Sequence, residues 1–197
     1  MHTVWVFITD CGDSAVTLPL ALLVSIFLFV VGQRSLGCAW ILAIGGGALV
    51  IGMLKLVFGA CGQDIAGGHI VSPSGHTAMS TAVYGSLAML AGSRFPARQR
   101  AIIYAIAAAG IIGIALSRVV LHEHNFPEIV VGWLVGVVAV AVFAVILGRR
   151  EVPALPLGWL FLFGVILVAV LHGTRWQIEP AVRHLAEIFR LALPYCR

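Results

Sequence analysis

The sequence predicts an all-α integral membrane protein: a bundle of about six transmembrane helices with short interfacial segments at the N- and C-terminal ends. Three observations predict it. Of 197 residues, 61% are hydrophobic and only 10% are charged, and the mean hydropathy is +1.07, far from the composition of soluble domains, about half apolar and a quarter charged. The apolar residues gather in six long runs, each near the ~20 residues that cross a hydrocarbon core. The ionisable groups lie at or beyond the ends of these runs. Six spans would use most of the chain, so residues 1–197 read as a single membrane-embedded domain.

The first thirteen residues, with Trp5 and Phe7 among polar neighbours, read as a short interfacial helix. Asp10 and Asp13 stand where a secretory signal needs basic residues, and no small-residue cleavage site follows, so this segment reads as mature protein. The spans follow at Ser14 to Val31, Gly37 to Gly59, Thr77 to Gly92, Ala101 to Leu116, Ile129 to Leu147 and Leu155 to Leu171. The third and fourth are short, which predicts that they borrow flanking residues or tilt. Gly45 to Gly47 and Ala107 to Gly110 offer small faces for close helix contact. From Thr174 onward, Trp176, Val182, Leu185, Phe189 and Leu193 recur at helical spacing, which predicts a membrane-surface helix.

Charge excludes some functions. The net charge of +4 and pI near 9.2 do not mark a nucleic-acid binder, because the arginines sit beside apolar runs and form no basic stripe interleaved with aromatics. Cys11, Cys38, Cys61 and Cys196 lack the paired spacing of a zinc or redox motif. A Cys11 to Cys61 disulfide would require their two loops to meet outside the membrane. The connections after spans one, three and five carry Arg34, Arg94, Arg98, Arg100, Arg149 and Arg150 against Glu151 alone. The positive-inside rule makes these cytoplasmic and puts both termini outside, although Arg175, Arg183, Arg190 and Arg197 then lie outside as well.

All seven histidines, His2, His69, His76, His122, His124, His172 and His184, fall on that outer side. Two connections concentrate the chemistry, Lys55 to His76 and Arg118 to Glu128. In the first, Pro73-Ser74-Gly75-His76 precedes a helix beginning near Thr77. Gly75 permits close backbone approach, and helix-start amides together with the Ser74 hydroxyl suit an anion. His76 stands ready to give a proton, and Lys55 adds a fixed positive charge; a capped turn beside a snorkelling lysine is the plainer reading of the same residues. In the second, Arg118, His122, Glu123, His124 and Glu128 crowd eleven residues between two apolar runs, and ionisable groups retained there mark function. Pro127 suits a first helical turn, from which Glu128 reaches back to the ring of His124. A carboxylate on one ring nitrogen leaves the other free to attack, and Arg118 offers a fork of donors for a phosphoryl group.

Together, Lys55, the Pro73 to His76 block, and Ser117-Arg118 followed by His124 and Glu128 resemble the signature of the type 2 phosphatidic acid phosphatase family. The resemblance covers residues 55 to 128 by motif and the remainder by hydropathy. It implies a metal-independent lipid phosphatase without a cofactor. In that scheme His124 is the nucleophile that forms a phosphohistidine, His76 is the general acid and base, and Glu128 orients His124. Lys55, Ser74, Gly75 and Arg118 would bind the phosphoryl oxygens. The family spacing singles out His124 over His122.

Two positions depart from the family. Glu128 stands where an aspartate is usual, and Gly62-Gln63 replaces an Arg-Pro pair, with Gln63 or His69 as possible substitutes. The resemblance implies a phosphorylated lipid as substrate, a mono- or diphosphate; the outward-facing site and the compact chain point to the outer face of a bacterial inner membrane. Phosphotransfer to another lipid, or a non-catalytic membrane protein with a degenerate site, are the alternatives.

Overall fold

A computed structural model describes every residue except Met1, 67–69, 149–155, Gln177 and 193–197; of 62–66 and 192 only the backbone is described. Among the described residues there are eight helices and no strand: α1 His2–Asp10, α2 Ser14–Val30, α3 Arg34–Ala66, α4 Gly75–Gly92, α5 Ala97–Val120, α6 Phe126–Gly148, α7 Leu157–Leu171 and α8 Ile178–Ala192. The α2 to α7 boundaries follow the six apolar runs, and α5 extends its run at both ends, as its shortness required.

Among the described residues, four stretches are long and apolar enough to cross a membrane: His2–Val30, Arg34–Cys61, Ala97–Val120 and Phe126–Gly148; α7 is a shorter apolar helix. Large apolar side chains such as Leu22, Leu42, Leu49, Ile106, Val138 and Phe161 point outward from these helices, as lipid-facing surface requires. Helix α4 is absent from the four for a physical reason. It is the centre of the bundle, packed against α6, α5, α3 and α2, so its neighbours are protein rather than lipid. It therefore carries small and hydroxylated residues, with Thr77, Ser80, Thr81 and Ser86 all buried. Thr81 and Ser80 donate their hydroxyls to the Thr77 carbonyl at 2.7 and 3.3 Å, satisfying themselves within the helix.

Glycines set how near α6 comes to α4. A β-carbon at Gly132 would lie 2.4 Å from the Ser74 carbonyl oxygen, and one at Gly136 2.4 Å from the Thr81 β-carbon. Only glycine admits such contact. The far side of the bundle closes on Trp40, which packs edge-on against Phe143 at 5.5 Å and donates its indole N–H to the Ala21 carbonyl at 2.9 Å. That bond satisfies the one polar atom of a fully buried ring.

Two expectations need correction, and the open question of a Cys11 to Cys61 disulfide is answered. Lys55 does not sit at a helix end, because α3 continues beyond it to Ala66; the loop before α4 is accordingly shorter than the Lys55 to His76 segment. The terminal helices are not only surface-lying, since α1 packs along α5 and α8 along α3. A β-carbon at Gly59 would lie 2.9 Å from that of Ala186 on α8, while Leu185, Ile188, Phe189 and Leu191 remain exposed. The Cys11 to Cys61 disulfide does not form: Cys11 and Cys38 are free thiols, and Cys61 is disulfide-bonded.

Candidate active site

The turn from α5 to α6 determines where the histidines go. At the end of α5 the His122 N–H donates to the Val119 carbonyl at 2.9 Å and the Glu123 N–H to the Arg118 carbonyl at 3.0 Å. This pair of bonds closes a helix through one left-handed residue, and that residue is His122, with φ +57°. The His124 N–H also returns to the Arg118 carbonyl at 3.2 Å. The interval from Arg118 to His124 is therefore a backbone property of the turn. His122 serves it as a cap, and His124 emerges on the far side facing the bundle.

Glu128 then joins four groups. Asn125 caps α6, its side-chain oxygen accepting the Glu128 N–H at 3.0 Å, while Glu128 Oε2 accepts the Asn125 N–H at 3.2 Å. This is a reciprocal capping box, a motif that calls for Glu at its third helical position. The same Oε2 lies 2.9 Å from His124 Nδ1. Oε1 accepts the Val71 and Ser72 amides, both at 2.9 Å. The extra methylene of glutamate thus gives the reach needed to bind its own helix start, the neighbouring loop and the imidazole together. With Nδ1 held by the carboxylate, Nε2 is the ring nitrogen left for other chemistry. Burial is the largest influence on His124 and pushes its pKa below the ordinary 6.5; the Glu128 hydrogen bond opposes this, and the nearby charges of Arg118 and Lys55 add to it.

The start of α4 lies against this loop. The Ser74 N–H donates to the Glu128 carbonyl at 3.0 Å. Ser74 is the fully buried N-cap, its hydroxyl accepting from the Thr77 hydroxyl at 3.0 Å and the Thr77 N–H at 3.4 Å, which leaves its own proton to donate. A β-carbon at Gly75 would stand 3.3 Å from Lys55 Cε, so the missing side chain is what lets the lysine lie along the helix start. The first amides of α4 have no acceptor within the helix.

Lys55 is already paired. Its ammonium donates to Glu179 Oε2 and to Ser72 Oγ, and Ser72 Oγ donates to Glu179 Oε1 at 2.8 Å. Glu179 comes from the first turn of α8. Burial opposes its ionisation, but Lys55 and Ser72 outweigh that and hold its carboxyl below the usual glutamate range.

Arg118 and His76 complete the cluster. Arg118 Nη1 donates to the Thr9 hydroxyl at 3.1 Å, and Nη2 lies 3.7 Å from Glu123. Its Nε is buried and, among the described residues, meets no acceptor; such an orphan donor calls for an explanation. His76 Nε2 lies 3.5 Å from Asp13 Oδ2, at the elbow between α1 and α2.

The structure thus brings Lys55, Ser74, Gly75, His76, Arg118, His124 and Glu128 to one end of the bundle. Gly62 and Gln63 fall where only the α3 backbone is described, and His69 lies outside the described residues. Sequence reasoning missed Asn125, Ser72, Glu179 and Asp13 as members of the cluster. Asn125 carried a legible signal, an Asn three residues before a Glu at a helix start; the others carried none. Among the described residues no group of three His, Cys, Asp or Glu side chains is arranged to hold a metal.

Residues 36–152 match the PAP2 superfamily, and the chain belongs to it. It is also similar to a 22.5 kDa protein in the cps region of Klebsiella pneumoniae, with 33% identity over 134 residues, 66% of this chain and 63% of the relative. The match spans less than two thirds of that relative's length. No solved structure matches the chain.

The αL position makes one mutational prediction. A non-glycine residue pays about 1–2 kcal/mol there, of which glycine's greater unfolded-state freedom returns part. His122→Gly should raise the melting temperature in detergent by the equivalent of up to about 1 kcal/mol, without lowering whatever activity the site has. A loss of activity would mean that the His122 ring does more than end a helix.

Proposed function

We propose that the chain is a lipid phosphate phosphatase working through a phosphohistidine on His124. The observation that carries this reading is the His124–Glu128 pair, which frees Nε2 within the influence of the Arg118 charge, whose Nε meets no acceptor among the described residues. Membership of the PAP2 superfamily supports phosphatase chemistry in general, and the four long apolar helices support a substrate presented by a bilayer. Counting α4 and α7 as spans inside the bundle gives six, and the positive-inside rule applied to the arginine-rich connections supports a site on the outer face of a bacterial inner membrane.

In this mechanism the phosphoryl oxygens are held by Arg118, Lys55, the Ser74 hydroxyl and the Gly75 amide at the α4 start, which together offset the charge that builds in the transition state. His124 Nε2 bonds to phosphorus as the bond to the lipid oxygen breaks, and His76 gives its proton to that oxygen. Water then attacks the phosphohistidine, losing a proton to His76; the P–N bond breaks and inorganic phosphate leaves. Glu128 stabilises the cationic ring while it carries the phosphoryl group. The chemistry is set by these groups, while the lipid that bears the phosphate is set by the surrounding surface.

The test is phosphate release by purified protein in detergent from a panel of lipid mono- and diphosphates. His124→Ala should lose at least ~10³-fold in kcat. Glu128→Gln should lose roughly 10²- to 10⁴-fold and should also lower the melting temperature, because an amide has one acceptor oxygen for the N–H donors that Oε1 and Oε2 now share. Activity retained by His124→Ala would end this reading, and transfer to a second lipid in place of release would redirect it to phosphotransfer.

The reaction's pH dependence follows from the state of the nucleophile. His124 must be neutral to attack, and burial holds its pKa below 6.5, so the acid limb of kcat/KM should fall below that value. Removing the Glu128 charge removes an influence that raises the pKa, so in Glu128→Gln the limb should move lower still. A limb at or above the ordinary imidazole value contradicts the assignment.

Because Lys55 is paired with Glu179, an entering phosphate must displace that carboxylate. Glu179→Gln should strengthen inhibition by inorganic phosphate several-fold, read from initial rates. An unchanged inhibition constant would show that the pair persists in the occupied site.

A further inference from the structure

The proposed mechanism gives His76 a proton to carry but does not say what holds its ring or keeps it charged. The ring is buried, with the charges of Arg118 and Lys55 nearby, and the Asp13 carboxylate is the anion that lies against it. Asp13 lies outside the family motif, more than sixty residues from His76 in sequence, and its carboxylate is arranged to do two things. Oδ1 accepts the Ala15 N–H at 2.8 Å as the N-cap of α2 and the Trp176 N–H at 3.2 Å from the C-terminal segment. Oδ2 is turned the other way, 3.5 Å from His76 Nε2.

The elbow that presents this oxygen is tightly seated. A β-carbon at Gly12 would fall 2.5 Å from Ile114 on α5 and 3.5 Å from His76 Cδ2, so a glycine is what allows Asp13 to approach the ring. Asp10, at the same elbow, is held by Arg175 at 2.8 Å, and the Tyr84 hydroxyl donates to the Cys11 carbonyl. The Asp13 side chain is buried and both of its oxygens have partners on fixed backbone or ring atoms. An N-cap needs only one oxygen, and Ser, Thr or Asn would serve; a buried carboxylate at this position has a second use.

We propose that Asp13 is a positioning residue for His76, the counterpart on the leaving-group side of Glu128 on the nucleophile side. Its Oδ2 holds Nε2–H and stabilises the imidazolium, so that Nδ1 carries the proton passed to the departing lipid oxygen as the P–O bond breaks. The ion pair, long in the resting protein, closes as the ring becomes charged, in keeping with catalytic contacts that tighten only in the reacting complex. When His76 accepts a proton from the attacking water in the second step, the same carboxylate again favours the charged ring. This inference rests on the phosphatase reading.

The test is Asp13→Asn, whose amide oxygen can still accept from Ala15 and Trp176, compared with wild type and His76→Ala on two substrates. One is a lipid or alkyl phosphate, whose alkoxide needs a proton to leave; the other is p-nitrophenyl phosphate, whose phenolate does not. Asp13→Asn should lose ~10- to 100-fold in kcat/KM, which reports the step that expels the leaving group, on the alkyl phosphate and little on the aryl one, and the basic limb of its kcat/KM profile on the alkyl phosphate should move to lower pH. An equal loss of kcat/KM on both substrates, or a lower melting temperature with kcat/KM unchanged on both, overturns the positioning role and leaves Asp13 a cap. If Asp13→Asn does not fold, Asp13→Ser keeps a good capping residue without the charge and is judged by the same outcomes. Should His76→Ala itself be indifferent to the leaving group, the general-acid assignment fails; if His76→Ala discriminates and the Asp13 variant does not, only this inference fails.

Discussion

The site depends on the carboxylate of Glu128. Its two oxygens accept the amides of Val71, Ser72 and Asn125 and meet Nδ1 of His124. The loop before α4, the cap of α6 and the orientation of the imidazole are therefore one arrangement. An ionised carboxylate surrounded by three N–H donors and a ring nitrogen can be taken out of water because its lone pairs are satisfied. The close approach of α4 and α6 at Gly132 and Gly136 is what brings the loop within reach. Aspartate at this position would have to give up reach in one of these directions, which accounts for the longer residue.

Around that centre the two ends of the chain form a collar. The elbow at Asp10 to Asp13 meets the segment after α7 through Arg175 and Trp176, and the His172 ring packs at a tilt of 40° against Phe7 with ring centroids 4.2 Å apart. From the other side α8 delivers Glu179 to Lys55. Termini are usually the loosest parts of a domain, but here they carry counter-charges for buried cations. Lys55 and Arg118 are costly to hold near hydrocarbon without partners; the collar supplies Glu179 to Lys55 and the Thr9 hydroxyl to Arg118.

Much of the architecture could be read from local pattern. Apolar run length placed α2, α5, α6 and α7 to within a few residues, and the amphipathic spacing after Thr174 marked α8, because the demand that a bilayer-facing backbone satisfy itself leaves few other structures. Helix α4 had a weaker signal, since a helix buried among helices need not be apolar. The spacing of Arg118, His124 and Glu128 was also legible, being a local product of one helix end and one helix start. Glu179 and Asp13 were not legible, because a lone acid in a terminal segment looks like any solvated charge until long-range packing shows what it faces.

The sequence by itself determined the solvent, the helical class and the types of group available for chemistry, since these follow from composition, run length and motif spacing. Only the tertiary structure decided which charges meet. Whether Lys55 faces a free pocket or the carboxylate of Glu179, and whether His76 faces water or Asp13, depends on contacts between segments more than sixty residues apart. Electrostatic interactions fall with distance and depend on burial, and neither distance nor burial between remote residues is written in local sequence.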